Sequence, residues 1–198
     1  MPTEARRAFA AAHALARHAL SWCAPRIDPS EWRLSARNPH GRPEVSAPRL
    51  DADIRVNLSH TDGMVAVVAT LTDACGIDIE RRADSAMVSR VAHRVLSATE
   101  LATMRDLDPA ARTDQFCRLW TLKEATTKAL GTGLRTPFDT IAFDFDDDRN
   151  ARRADNDPSW SMRSWPASPE HHVSVAVHAP KVDFVVHSLS EELRARNP

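Results

Sequence analysis

The run from Asp114 to Leu130 constrains this chain more than any other stretch. Phe116, Leu119, Leu122, Ala125, Ala129 and Leu130 return near helical spacing and predict a helix with a buried stripe. Thr113 or Asp114 offers a side-chain oxygen to cap its start. Gly131 and Gly133 mark its end, because glycine accepts the left-handed conformation that closes a helix. On this helix Trp120, Glu124 and Lys128 follow at four-residue steps and share one face.

Lysine is scarce in this sequence. Of 26 basic side chains only Lys123, Lys128 and Lys181 are lysines, and two of them lie on this helix. Lysine offers a compact point charge with freely turning donors where arginine offers a planar fork. Upstream, Gly76-Ile77-Asp78-Ile79-Glu80 alternates apolar and acidic residues and predicts a short strand, with Asp78 and Glu80 leaving one face and Ile77 and Ile79 the other. Two adjacent carboxylates repel unless water or a cation screens them. A hard divalent cation such as Mg²⁺ suits such a pair. Asn57-Leu58-Ser59-His60 follows the strand-like Asp53–Val56, and its hydroxyl and imidazole in a turn would suit phosphate oxygens. Gly41-Arg42-Pro43 sets one cation in a tight turn. Singly, each piece has an ordinary reading: a helix face with ion-pair support, a solvated edge strand, a surface histidine.

In this order the four pieces, G-[KR]-P, N-x-S-H, G-I-D-I-E and W-x-x-K-E-A-x-x-K, resemble the 4′-phosphopantetheinyl transferases, in the larger, surfactin-synthetase-activating type that carries two similar halves in one chain. Val95-Leu96-Ser97-Ala98-Thr99-Glu100 is similar to the segment between the family's two acidic motifs, and is also an S-x-x-E capping box with Ser97 as cap. The strong motifs run from about residue 40 to 134.

The resemblance implies an α+β fold of two similar α/β halves packed with pseudo-twofold symmetry, residues 1–72 and 73–198, with the substrate between them. It implies transfer of the phosphopantetheine arm of coenzyme A to a serine of an apo acyl or peptidyl carrier protein, with release of 3′,5′-ADP. By the same resemblance Asp78, Glu80 and Glu124 are metal ligands for Mg²⁺, with Mn²⁺ as an alternative. Glu124 and Lys128 are catalytic, as proton acceptor and phosphate contact. Arg42, Ser59, His60 and Lys128 contact coenzyme A, and Lys123 is either a support or a further phosphate contact. Arg42 stands where the family usually has lysine, which keeps the charge and changes its geometry. Family members also carry a leading strand and basic residues before the first helix, roles for which Arg6, Arg7 and Arg17 are candidates here.

Two other classes compete. One is a non-catalytic coenzyme A or carrier-protein binding module of the same fold; the intact acidic set and Lys128 count against it. The other is an unrelated Mg²⁺-dependent phosphoryl transferase; no glycine-rich phosphate loop and no kinase signature is present.

Composition narrows the setting. A net charge of −1 gives no basic field for nucleic acid. Cys23, Cys75 and Cys117 are odd in number and far apart, the pattern of reduced thiols. No apolar run approaches the ~18 residues of a membrane span. The expectation is a cytoplasmic monomer. Along the chain, the pattern predicts a helix over residues 3–22 and strands over 32–35, 54–58, 64–71 and 75–80. Thr61-Asp62-Gly63 reads as a hairpin turn. Residues 81–108 are read as mostly helical, and strands are predicted over 140–145, 161–165, 171–178 and 183–189. Residues 144–157 are read as a solvated loop.

Overall fold

The computed structural model describes residues 3–35, 43–48, 53–146 and 150–189. Helix α1 (Thr3–Cys23) leads into a short antiparallel pair, β1 (Arg33–Ser35) and β2 (Glu44–Ala47). A long hairpin follows, β3 (Ile54–Thr61) and β4 (Met64–Leu71), turning on Asp62-Gly63 with Gly63 at φ 78°. Its expected turn residues are therefore right, but Ser59 and His60 lie inside β3 rather than in a turn. The chain then enters β5 (Cys75–Arg81), α2 (Ser85–Val95), α3 (Ala98–Thr103) and α4 (Pro109–Leu130). It closes with β6 (Phe143–Phe145), β7 (Asn150–Arg153), β8 (Ser161–Ser168) and β9 (His171–Val177). With β5 these form a five-stranded sheet, antiparallel between neighbours, in the order β5-β9-β8-β7-β6. Among the described residues no helix is long and apolar enough to cross a membrane.

The central helix starts five residues before the expected point. Asp108 caps it, accepting from the amides of Ala110 and Ala111 at 2.9 Å each, and Pro109 occupies the first turn, where its missing N–H is no loss. The apolar stripe begins only at Phe116, so this polar first turn was invisible to periodicity. Gly131 closes the helix at φ 70° as expected. Leu130, assigned to the stripe, is 44% exposed. The other side is more buried than a one-sided helix allows: Cys117, Thr121, Lys123, Thr126 and Thr127 join the stripe residues inside. The Ser97 capping box forms as read, with Ser97 accepting from the Glu100 amide and Glu100 from the Ser97 amide.

Two tail readings are corrected. Residues 183–189 form no strand; Val182 and Phe184 plug an apolar cluster around Cys75, Val175 and Val177, while Val185 and Val186 face out. Inside the supposed loop at 144–157, β7 forms around Ala151, its one buried side chain.

Two cores result. In the first part, Ala16 and Leu20 of α1 pack with Trp32, Ile54 and Val56. In the second, Phe116, Leu119, Leu122 and Ala125 of α4 pack with α2, β6 and β9. The parts meet at β5. Ile77 and Ile79 pack on Met64, Ala66 and Val68 of β4, so β5 is covered by β4 on one face and by α4 on the other.

Candidate active site

Gly76, Asp78 and Glu80 are the α4-facing residues of β5. Gly76 decides how near the helix comes. A Cβ at this position would lie 2.6 Å from the backbone N of Ala129, and closer still to the Ala125 carbonyl oxygen. The strand and helix backbones therefore touch, and the next two side chains toward α4 fall under Glu124 and Lys128.

Asp78 is 3% exposed. Its Oδ1 accepts from Lys128 Nζ at 2.6 Å and from the Ser59 hydroxyl at 2.9 Å. Its Oδ2 is buried with no partner. Lys128 Nζ also donates to Ser59 Oγ at 3.1 Å and to the Ile77 carbonyl at 3.2 Å. Glu80 and Glu124 are half-buried and close enough to feel Asp78. Burial, then the Asp78 charge, pushes the Glu80 carboxyl above the ordinary range; Glu124 adds to this, and a hydrogen bond with Trp120 and the Lys128 charge oppose it. Glu124 is likewise raised, first by burial and then by Asp78, against Lys128.

Asp78, Glu80 and Glu124, expected within reach of one metal ion, meet around Lys128. Among the described residues no three of His, Cys, Asp and Glu are grouped to hold an ion, and the Lys128 ammonium sits against Asp78. The chemistry of the donor set nevertheless fits a divalent cation. Three carboxylates share one lysine, two are pushed toward the neutral form, and a buried oxygen of the third has no donor.

Of the two roles expected of Lys123, its surroundings match the supporting one and not the coenzyme A contact. It is fully buried, and its ammonium donates to Glu100 Oε2 at 2.6 Å and to the carbonyls of Phe138 at 2.9 Å and Ile141 at 2.5 Å. Glu100 Oε1 takes the Phe143 amide at 3.1 Å. With its three donors spent inside the protein, Lys123 ties α4 to α3 and to the segment leading into β6, and meets no ligand.

Ser59 is buried beneath Lys128, whereas His60 is exposed and lines an open cleft of about 500 Å³. That cleft draws Phe9 and His13 from α1, Leu58 and His60 from β3, and Thr127, Lys128 and Thr132 from α4 and the turn after it. Lys128, its side chain 27% exposed, stands on the border between the cleft and the acids. Arg42 lies outside the described residues.

The geometry adds structural roles that the sequence reading did not assign to Trp120, Asn57, Ser59 and Thr61. Trp120, packed at 5.8 Å edge-on to Phe138, lies close enough to Glu80 to favour its ionised form. Asn57, Ser59 and Thr61, at two-residue steps along β3, all bond to β5. Asn57 Oδ1 accepts from the Ile77 amide at 3.0 Å, Ser59 meets Asp78, and Thr61 Oγ1 accepts from the Arg81 amide and donates to Glu80, each at 3.4 Å. The polar alternation of Asn57-x-Ser59-x-Thr61 was the available signal.

Residues 74–177, which hold β5, α4 and β9, match the family model for the 4′-phosphopantetheinyl transferase superfamily. The chain belongs to this superfamily. A 4′-phosphopantetheinyl transferase of Bacillus subtilis is 30% identical over 157 residues, covering 78% of this chain and 67% of the relative. The 4′-phosphopantetheinyl transferase Sfp of Bacillus subtilis strain 168 is 33% identical over 116 residues, covering 59% of this chain and 49% of Sfp. The chain thus spans from about half to two thirds of the length of these transferases. A solved holo-(acyl-carrier-protein) synthase of Bacillus anthracis str. Ames, in complex with CoA (3′,5′-ADP), is 24% identical, with a TM-score of 0.45 over 52% of this chain and 93% of the synthase.

Proposed function

We propose that this chain transfers the 4′-phosphopantetheine arm of coenzyme A to a serine of an apo acyl or peptidyl carrier protein, releasing 3′,5′-ADP. The observation that carries the reading is the charge-crowded junction of Asp78, Glu80, Glu124 and Lys128 at the edge of a cleft, with one buried Asp78 oxygen left without a donor. Membership of the superfamily and the names of its relatives support the same reaction class.

In this reading the serine oxygen attacks the phosphorus of the phosphopantetheine arm, the bond to the 3′,5′-ADP oxygen breaks, and the serine proton leaves to a base. Asp78, Glu80 and Glu124 would hold Mg²⁺, which when bound supplies positive charge to the pyrophosphate. Lys128 holds phosphate oxygens, exchanging its longer contacts to Ser59 and Ile77 for them. Glu124, made more basic by burial, accepts the serine proton. Trp120 and the β3 side chains keep the carboxylates in place. His60, on the cleft, and Arg42 are assigned to the phosphates of coenzyme A. We further infer that α1 on β3–β4 and α4 on β5–β9 are pseudo-twofold related halves, a reading supported by their common plan of a long helix laid on antiparallel strands.

The test is incubation with coenzyme A, Mg²⁺ and an apo carrier protein, followed by the mass of the carrier. A gain equal to the phosphopantetheine arm, absent without Mg²⁺, is expected. Binding of coenzyme A with no mass gain on acyl or peptidyl carriers would favour the non-catalytic module instead.

A further inference from the structure

Helix α1 carries a ring that its own packing does not use. Phe9 is 51% exposed, on a helix whose core contacts come from Ala12, Ala16, Ala19 and Leu20. An isolated exposed phenylalanine is ordinary on any surface. This one lines the cleft, and its ring lies 4.2 Å from that of His13, tilted by 39°, which lines the cleft as well. Leu34, Pro43 and Leu58 continue the apolar lining, while Thr127, Lys128 and Thr132 supply hydroxyls and an ammonium from the α4 side. Burial and the neighbouring Arg17 hold His13 below the ordinary histidine range. The ring is therefore neutral near pH 7 and presents a second flat face rather than a charge. The cleft thus joins an aromatic ledge on one element to a phosphate-compatible cation on another, at a volume ordinary for a small-molecule site.

We propose that Phe9, backed by His13, is the stacking platform for the base of the nucleotide held in this cleft, with the phosphates directed toward Lys128. This assignment rests on the coenzyme A reading and extends it, since it gives the base a partner on α1 that no motif in the sequence marks. A flat base gains from such a ring because its π face is matched and its apolar surface leaves water, and the gain does not depend on hydrogen bonds to the base edge.

The experiment is calorimetric titration of wild type, Phe9→Ala and Phe9→Trp with coenzyme A and with 3′,5′-ADP, alongside thermal melts. Phe9 is largely solvent-facing, so Phe9→Ala should melt with wild type. Phe9→Ala is expected to weaken both ligands equally, by about 5- to 150-fold, the range that loss of one base–aromatic stack gives. Phe9→Trp is expected to bind both within a few-fold of wild type. Undiminished binding by Phe9→Ala, or loss for coenzyme A but not for 3′,5′-ADP, overturns the ledge and leaves the coenzyme A reading standing. Equal weakening by Phe9→Ala and Phe9→Trp overturns it too, since a flat ring would then not be what matters. A wild-type protein that binds neither ligand overturns both readings.

Discussion

Adding one methyl group at Gly76 should disable this protein more than most changes in its acidic site. A Cβ there would sit 2.6 Å from Ala129 N, and ordinary contact begins near 3.4 Å, so strand and helix must separate by about 0.8 Å at that point and by more at the Ala125 carbonyl. Neither neighbour is the free end of a side chain. Both belong to the backbone of a 22-residue helix whose groups are engaged in its own bonds, so α4 must move as a body or β5 must bend. Forcing an extra methyl into packed backbone costs about 1–3 kcal/mol. For a chain of 198 residues this lowers the unfolding midpoint by roughly 2–12 °C. The larger effect is on chemistry, because the displaced helix carries Glu124 and Lys128 away from Asp78 and Glu80. A misplacement of about 1 Å costs on the order of 10²-fold in rate. The assay is carrier-protein modification followed by mass, with thermal unfolding by circular dichroism on the same preparation. Gly76→Ala should fold, melt earlier and transfer about a hundredfold more slowly. A variant that melts and transfers as wild type refutes the close approach of α4 to β5.

Other changes separate the lysines and test the charge balance. Lys128→Ala should lose about 10²–10³ in rate, the usual consequence of removing one charge-assisted contact to a developing anion, while Lys181→Ala stays near wild type; equal rates would remove Lys128 from the mechanism. Lys123→Met strands Glu100 in the core and should cost about 3–5 kcal/mol in denaturant unfolding, so an unchanged midpoint would contradict the buried pair. Because the folded Glu80 carboxyl is raised, its ionised form is disfavoured in the fold; the penalty is present above the folded pKa and absent below the unfolded one. Glu80→Gln should therefore melt above wild type at neutral pH without divalent cations, the gap closing as pH falls into the ordinary carboxylate range; a gap that does not change with pH would contradict this. Mg²⁺ should raise the wild-type melting midpoint and leave Asp78→Asn unmoved, and an equal rise in both would remove Asp78 from the ligand set.

Much of this was written in local pattern. The hairpin at Asp62-Gly63, the Ser97 capping box and the glycine stop at Gly131 are each decided within a few residues, so the sequence discloses them. The shared face of Trp120, Glu124 and Lys128 follows from helical spacing in the same way. What stayed hidden depends on which element lies opposite. Lys123 and Lys128 read alike as helix cations; only the arrival of Glu100 and the Phe138 and Ile141 carbonyls over Lys123 makes one structural. Taken alone, Asp78 and Glu80 read as a solvated edge pair, yet β4 and α4 cover β5 on both faces and bury Asp78. The start of α4 was missed because a polar first turn, capped by Asp108 and begun by Pro109, carries no apolar period. Residues 183–189 alternate like a strand, but the alternation reflects Val182 and Phe184 plugging an apolar cluster rather than a ladder.

The junction of β3 with β5 has a consequence for how such a molecule can change over time. Two strands zipped by main-chain amides are nearly indifferent to which side chains they carry, since every residue but proline supplies the same donor and acceptor. Here Asn57, Ser59 and Thr61 make the fastening with their side chains. Each clasp is encoded by a single codon and can be undone or tightened alone, leaving both strands whole. Ser59 is the middle clasp and also touches Asp78 and Lys128, so retuning the grip between the two parts and retuning the charge at the reaction centre are, at that one residue, the same event.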